Sequence, residues 1–275
     1  MITFPDDVKA AYSRSKNIIR KTPLDHSPAL SNIIDGDVYL KLDNIQKTGS
    51  FKFRGAISKM TSLNEKQRKK GVVTASTGNH GAAVSLGMKI LGINGSIIVP
   101  ENIAPNKVEN IKNLGGTVEY YGNDCLEAEQ RAQEISVTTG AIYISPYNDP
   151  VIVAGQGTMG VEIDKDLSNI DTVIVAVGGG GLISGIGGYL KTVQPKVKIV
   201  GCSPKNSCVM YESLKAGTIL DLPSKPTLSD GTAGGVEENS ITFEICKRII
   251  SDFVLLTEDE IAAGIRNGLE DHHQL

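Results

Sequence analysis

The sequence predicts an α/β protein of two lobes, each built on an open parallel sheet with flanking helices. Short β-branched runs alternate along the chain with longer amphipathic segments. Glycine or proline stands at several of the boundaries, and the strand-like runs are mainly apolar. Apolar strands that alternate with helices are typical of parallel sheets covered by helices on both faces.

Short runs rich in Val and Ile give the strands in order along the chain. They are expected at residues 38–42, 72–75, 96–99, 117–120, 141–144, 172–177, 197–202 and 253–256. Helical patterns fall between them, at residues 79–91, 105–114, 125–139, 155–167, 182–193 and 258–270. We expect residues 70–146 to form the smaller lobe, and residues 1–69 with 147–275 to form the larger one.

Composition excludes several classes of function. The chain has 275 residues and a net charge of -3, so it offers no basic field for nucleic acid. It has neither an N-terminal signal peptide pattern nor an apolar run of membrane-spanning length, which predicts a cytoplasmic protein with no membrane partner. No C-x-x-C pair occurs among its cysteines, which are expected to be reduced thiols.

Lys52 is the first candidate for chemistry. It lies between Phe51 and Phe53 and precedes Arg54, at a predicted junction of loop and helix. Burial against the rings and the neighbouring positive charge are both expected to disfavour the ammonium form, which would leave an amine able to attack an aldehyde. The alternative is a surface lysine at the start of a helix.

A run of four glycines follows the strand that ends at Val177. Glycines before a helix N-terminus let backbone N–H groups approach an anion, so the run indicates a phosphate site. The alternative is a tight turn that needs glycine for its dihedral angles. No Gly-Lys-Ser/Thr follows, and Ser184 stands where a dinucleotide fingerprint requires glycine, so a small monophosphate is favoured over a nucleotide.

The third segment, residues 76–81, lies between a strand and a helix. Its hydroxyls and backbone N–H groups suit a carboxylate, and the Asn79 amide can donate to a ring oxygen. Plain helix capping by Ser76 or Thr77 is the alternative, and His80 is either a base or a packing residue. A reactive amine, a phosphate site and an amide for a phenolic oxygen are together the requirements of pyridoxal 5'-phosphate.

These segments also resemble a known family. Residues 41–56, 76–81 and 177–185 are similar to the signature segments of the threonine/serine dehydratase and serine racemase family, which belongs to fold type II of the pyridoxal-phosphate enzymes. The resemblance runs nearly end to end and implies a fold like that of the tryptophan synthase β subunit. Within the family, residues 227–231, 234–236 and 239–243 most resemble dehydratases of hydroxyectoine utilisation.

The resemblance implies a role for each matching residue. Lys52 forms the Schiff base, Phe51 lies against the cofactor ring, and Asn79 holds the ring oxygen. The implied phosphate ligands are the backbone N–H groups of Gly178, Gly179, Gly180, Gly181 and Leu182. The implied substrate ligands are Ser76, Thr77, Gly78, His80 and Gly231.

Some features depart from the family pattern. The chain ends before the strand that supplies a residue to the pyridine nitrogen, so we expect no such residue here and an exposed apolar sheet surface. Ser203, Ser207 and Val209 stand where relatives have acidic metal ligands, so no metal is expected. Thr77 takes the place of the racemases' catalytic serine, and its methyl group favours elimination over racemisation.

The sequence and the resemblance therefore predict a lyase that eliminates the β-hydroxyl of L-threonine or L-serine as water, after which hydrolysis of the resulting imine gives a 2-keto acid and ammonia. The resemblance also implies a homodimer or homotetramer. Serine racemisation and dehydration of 3-hydroxyaspartate are the alternative reactions. A different class of hypothesis is a truncated remnant that binds the cofactor without turnover.

Overall fold

The computed structural model describes residues 2–273. The helices are α1 (Asp6–Ser15), α2 (Pro28–Ile34), α3 (Lys52–Ser62), α4 (Glu65–Lys70), α5 (Asn79–Leu91), α6 (Pro105–Asn113), α7 (Cys125–Thr139), α8 (Pro150–Asp166), α9 (Gly181–Val193), α10 (Val209–Ala216), α11 (Ile241–Ile249) and α12 (Glu258–Glu270). The strands are β1 (Leu24–His26), β2 (Tyr39–Lys41), β3 (Val72–Ala75), β4 (Gly95–Val99), β5 (Val118–Tyr120), β6 (Ile142–Tyr143), β7 (Thr172–Ala176), β8 (Lys198–Pro204) and β9 (Asp252–Leu256).

Two parallel sheets and one small hairpin organise the chain. The smaller lobe has the strand order β5-β4-β3-β6, and the larger lobe has the order β7-β8-β9. All pairs within these two sheets are parallel, which confirms the predicted α/β class. No sequence pattern indicated β1, a short strand that pairs antiparallel with β2.

The strand order of the smaller sheet explains where a ligand is expected. Strands β3, β4 and β5 follow one another in one direction, and β6 then adds on the other side of β3. The order therefore reverses between β3 and β6, and open parallel sheets bind ligands at the carboxyl ends of the strands at such a point. Residues 76–80 leave β3 there, and residues 144–148 leave β6 beside them.

Helix boundaries follow from local capping. Asp124 accepts a hydrogen bond from the Glu127 N–H to begin α7, and Gly140 ends that helix with φ +74°. Thr257 forms a capping box with Glu260 at the start of α12. Helix α8 begins at Pro150 rather than at the predicted Gly155, because the Asp149 carboxylate caps its first turn.

Two main cores fill the lobes. In the larger lobe Val175, Ile183 and Ile199 lie in one buried cluster. In the other cluster the α3 residues Phe53 and Ile57 pack with side chains of the four-stranded sheet and of α5. Helix α3 thus links the core of the smaller lobe to α8. The predicted lobe boundaries, residues 70–146 for the smaller lobe and 1–69 with 147–275 for the larger one, remain a prediction.

The outer face of the larger sheet carries exposed apolar side chains. Ile174 of β7 is 69% exposed and Val254 of β9 is 44% exposed. Their β8 pairing partners place them on one face. Among residues 2–273, no helix has both the length and the apolar character needed to cross a membrane.

Candidate active site

Lys52 is the first residue of α3, and its amine is held at a defined place. Its Nζ donates a hydrogen bond to the Pro146 carbonyl oxygen at 2.9 Å and lies 5.4 Å from the centre of the Phe51 ring. Burial lowers the pKa of Lys52 to about 8. At pH 7 about a tenth of the amine is therefore neutral and nucleophilic, far more than for a lysine with the ordinary pKa of 10.5.

Arg54 does not contribute to this shift as the sequence led us to expect. Its guanidinium donates to both Asp43 oxygens and to both Glu162 oxygens, at 2.7 to 2.9 Å. These hydrogen bonds outweigh the opposing effect of burial and raise the pKa of Arg54. Because two carboxylates pair with its charge, Arg54 anchors the first turn of α3, and burial alone lowers the pKa of Lys52.

The glycine run connects β7 to the N-terminus of α9. Gly180 has φ +80°, and α9 begins at Gly181. The first N–H groups of a helix have no partner within the helix, so those at the start of α9 are available to an anion. The hydroxyl of Thr242 donates a hydrogen bond to the Gly179 carbonyl oxygen at 2.6 Å and so fixes the position of the glycine run.

Close packing, more than turn geometry, requires glycine in this run. A Cβ on Gly178 would lie 2.7 Å from the Thr232 carbonyl oxygen, and a Cβ on Gly179 would lie 2.6 Å from the Tyr147 ring. Only Gly180 has the positive φ that a turn alone would explain. The tight-turn alternative therefore accounts for Gly180, and close packing accounts for Gly178 and Gly179.

The segment after β3 leaves the start of α5 open. Gly78 is the N-cap residue, and no side chain caps this helix. The Ser76 hydroxyl instead accepts a hydrogen bond from the Gly78 N–H at 3.3 Å, and Thr77 is half-buried. The capping alternative is therefore not what the structure has. The first N–H groups of α5 remain available to a carboxylate.

His80 is buried and neutral. Its Nε2 lies 2.9 Å from the Ile144 carbonyl oxygen, which can only accept a hydrogen bond, so Nε2 carries the proton. Burial, and second the positive charge of Lys52, lower the pKa of His80 to about 3. The side chain therefore has no second proton for a substrate carboxylate, and only its backbone N–H could serve that role.

The fold joins the predicted segments by a chain of contacts, and the region that these segments border is here termed the cleft. The amine of Lys52 contacts Pro146, and the next residue, Tyr147, packs on the glycine run. On the other side, the position of a Cβ on Gly231 lies 3.9 Å from the Asn79 amide nitrogen. Thr232, which follows Gly231, packs on Gly178.

Sequence reasoning missed the segment after β6. Pro146 holds Lys52, while the Tyr147 hydroxyl accepts from the Glu237 N–H at 2.8 Å. Asn148 donates to the Glu237 carboxylate at 2.7 Å, and burial raises the pKa of that carboxyl. The available signal was the predicted strand at 141–144, because its carboxyl end faces the same edge as that of β3.

The residues present fit pyridoxal 5'-phosphate. A half-buried amine, an open helix N-terminus preceded by close-packed glycines, and the Asn79 amide border the same cleft. Lys52 would hold the aldehyde carbon, the start of α9 would hold the phosphate, and Asn79 would hold the ring oxygen.

Comparison with known proteins agrees with this fit. The family model described as "Pyridoxal-phosphate dependent enzyme" matches residues 16–275. L-threonine ammonia-lyase of Thermotoga maritima is 43% identical over 265 residues, which are 96% of this chain and 66% of that protein. The catabolic L-threonine dehydratase TdcB of Escherichia coli is 39% identical over 256 residues, 93% of this chain and 78% of that protein.

A solved structure shows the same architecture. Maize serine racemase superposes with a TM-score of 0.93 at 32% identity, covering 98% of this chain and 81% of that one. With the family model matched from residue 16 to the last residue, the chain belongs to the pyridoxal-phosphate dependent enzymes, in the fold type II group of threonine/serine dehydratases and serine racemases.

Proposed function

We propose that this chain catalyses the pyridoxal-phosphate dependent dehydration and deamination of L-threonine or L-serine, which yields a 2-keto acid and ammonia. The names of the two relatives that act on L-threonine support this substrate class. The observation that carries the proposal is the placement of Lys52. Its amine contacts the residue before Tyr147, and Tyr147 packs on the glycine run.

The bound cofactor supplies an electron sink that stabilises negative charge at the substrate Cα. Lys52 supplies the base. Its Nζ, in the neutral form that burial favours, accepts the Cα proton, and the Pro146 carbonyl orients the nitrogen. The fixed first turn of α3 limits the positions that Nζ can take.

Other groups bind and orient. The N–H groups at the start of α5 hold the substrate carboxylate, with the hydroxyls of Ser76 and Thr77 beside them. The N–H groups at the start of α9 hold the phosphate. Gly231 leaves space opposite Asn79, where any side chain would narrow the cleft.

Racemisation of serine is the second candidate, because maize serine racemase shares the architecture. A racemase needs a proton donor on the face opposite the lysine, and Thr77 is the residue proposed for that place. Its β-methyl group restricts rotation of the hydroxyl. Chiral analysis of the products from L-serine separates the two reactions, since the proposed lyase gives pyruvate with little D-serine.

The test compares Lys52→Ala with Lys47→Ala, which removes an exposed lysine of the same segment. We expect Lys52→Ala to lose ammonia release from L-threonine and the visible absorption of the lysine-bound cofactor, while Lys47→Ala keeps both. Ammonia release that survives in Lys52→Ala would overturn the proposal. An unmodified protein that binds the cofactor but releases no ammonia would support the non-catalytic remnant instead.

The same proposal extends to compartment and assembly. Cys125, Cys202, Cys208 and Cys246 are free thiols, which suits a reducing cytoplasm. A homodimer or homotetramer is the assembly proposed from the family, and sedimentation of the purified protein tests it.

A further inference from the structure

His80 has one ring nitrogen with no partner. The side chain is only 4% exposed, and its Nε2–H donates to the Ile144 carbonyl at 2.9 Å. Nδ1 therefore carries a lone pair, and it is buried without a hydrogen-bond partner among residues 2–273. A buried acceptor without a donor is costly, so such a group calls for a partner or a functional role.

Lys52 is a charged donor whose amine is held on the same backbone segment as the His80 ring. Its Nζ is held by the Pro146 carbonyl, and His80 is held by the Ile144 carbonyl two residues earlier. The charge of Lys52 acts on the imidazole strongly enough to be the second cause of its lowered pKa. A protonated Lys52 has three N–H donors, and the Pro146 oxygen takes only one of them.

We propose that His80 is a positioning residue for Lys52, whose ammonium form donates a second hydrogen bond to Nδ1 while it donates the first to the Pro146 carbonyl. The segment 144–146 thereby fixes both acceptors on one stretch of backbone. This inference deepens the proposed function, on which its relevance to turnover rests. When Lys52 has accepted the Cα proton of the substrate, the two acceptors hold the resulting ammonium in place until it loses that proton.

Charged groups on the neighbouring elements have partners of their own. Arg54 on α3 is paired with Asp43 and Glu162, and Lys59 on the same helix is paired with Asp149 before α8. Glu237, from the larger lobe, accepts from Asn148. A substitution at His80 therefore leaves these pairs in place. The proposed contact is the main local influence on Lys52 that such a substitution removes.

The experiment measures the pKa of Lys52 in cofactor-free protein by competitive labelling with acetic anhydride across pH, read by mass spectrometry. His80→Leu and His80→Asn form a matched pair of similar size, and only Asn keeps an acceptor on the γ-carbon. Thr74→Val is the control, because the Thr74 hydroxyl donates to the same Ile144 carbonyl at 2.7 Å and is fully buried.

Loss of the acceptor should disfavour the ammonium and lower the pKa of Lys52. If that pKa falls by about one unit, labelling at pH 7 rises about fivefold in His80→Leu. We expect His80→Asn and Thr74→Val to label as the unmodified protein does. If His80 only filled space, its replacement would admit water and raise the pKa of Lys52 instead. Slower or unchanged labelling in His80→Leu would therefore overturn the proposal.

A second measurement needs no variant. In the unmodified, cofactor-free protein, the ¹⁵N resonance of His80 Nδ1 should shift as Lys52 titrates, with a midpoint near its pKa of about 8. An Nδ1 resonance that stays constant through that range would overturn the contact. Neither readout uses turnover, so failure here is distinct from failure of the proposed reaction.

Discussion

Gly55 of α3 and Gly155 of α8 lie in direct backbone contact. A Cβ on Gly155 would come within 2.7 Å of the Gly55 Cα. Gly157, further along α8, packs in the same way on α9, where its Cβ would lie 2.9 Å from the Gly185 carbonyl oxygen. Helix α8 therefore sets the distance between the helix that begins with Lys52 and the helix that begins at the glycine run.

Gly155→Ala should force α3 and α8 apart. Overpacking of a close contact costs about 1–3 kcal/mol, so we expect the midpoint of urea unfolding to fall. The matched control is Gly264→Ala in α12, where nothing lies within 4 Å of the new Cβ. Because alanine favours helix over glycine by roughly 1 kcal/mol, the control should be neutral or stabilising. Equal losses in both variants would contradict the contact.

Arg54→Met should strongly destabilise the fold. Arg54 is fully buried, and its removal leaves Asp43 and Glu162 without their guanidinium partner. Removing one member of a buried ion pair costs about 3–5 kcal/mol. Lys21→Met removes the exposed pair with Asp166 and should cost about 1 kcal/mol or less. Urea denaturation at pH 7 measures the free energy of unfolding of both variants. Similar losses would show that the buried pairs of Arg54 stabilise the fold no more than the exposed pair of Lys21.

Lys52→Met should stabilise the cofactor-free protein in a pH-dependent way. The pKa of Lys52 is about 8 in the folded chain and 10.5 ordinarily, so between these values the unfolded chain binds more protons. Stability of the unmodified protein therefore rises with pH across this window. The advantage of the variant should be full at pH 7 and vanish above pH 10.5. A constant difference across pH, measured by urea unfolding, would argue against burial of the ammonium.

Lys47→Met is the control for that series. Lys47 is exposed, so this variant removes a lysine of the same segment without changing a buried group.

Thr77→Ser should increase racemisation. The change keeps the hydroxyl and removes the methyl group that restricts its rotation. With L-serine as substrate, we expect the ratio of D-serine to pyruvate to rise, and chiral chromatography measures it. Thr77→Ala lacks the hydroxyl and should leave the ratio at or below that of the unmodified protein. A rise in both variants would show that the hydroxyl is not the group that transfers the proton.

The sequence predicts those elements whose ends carry local signals. Helices at 79–91, 125–139 and 258–270 match their predicted bounds, because a cap or an adjacent glycine marks their ends. Strand β1 was missed because antiparallel pairing with β2, rather than an apolar run, forms it. The first turn of α8 was missed although Asp149 before Pro150 is a capping signal.

The site was predicted in part. Lys52, Asn79, Gly231 and the glycine run carry recognisable residue types, and the fold places them at one cleft. Pro146 contributes only a backbone carbonyl, which no side-chain pattern can reveal. The predicted effect of Arg54 on the pKa of Lys52 was wrong, because the pairing of Arg54 with Asp43 and Glu162 depends on tertiary contacts between separate segments.

The stacked glycines of α3, α8 and α9 also bear on how such a catalyst diversifies. Since these close contacts set the distance between Lys52 and the start of α9, mutations elsewhere can change the surrounding residues without altering that distance. Residues 221–240 lie outside these helices and approach the Asn79 side of the cleft through Gly231. Directed evolution toward bulkier amino acids is best aimed at that stretch, with the helical contacts left untouched.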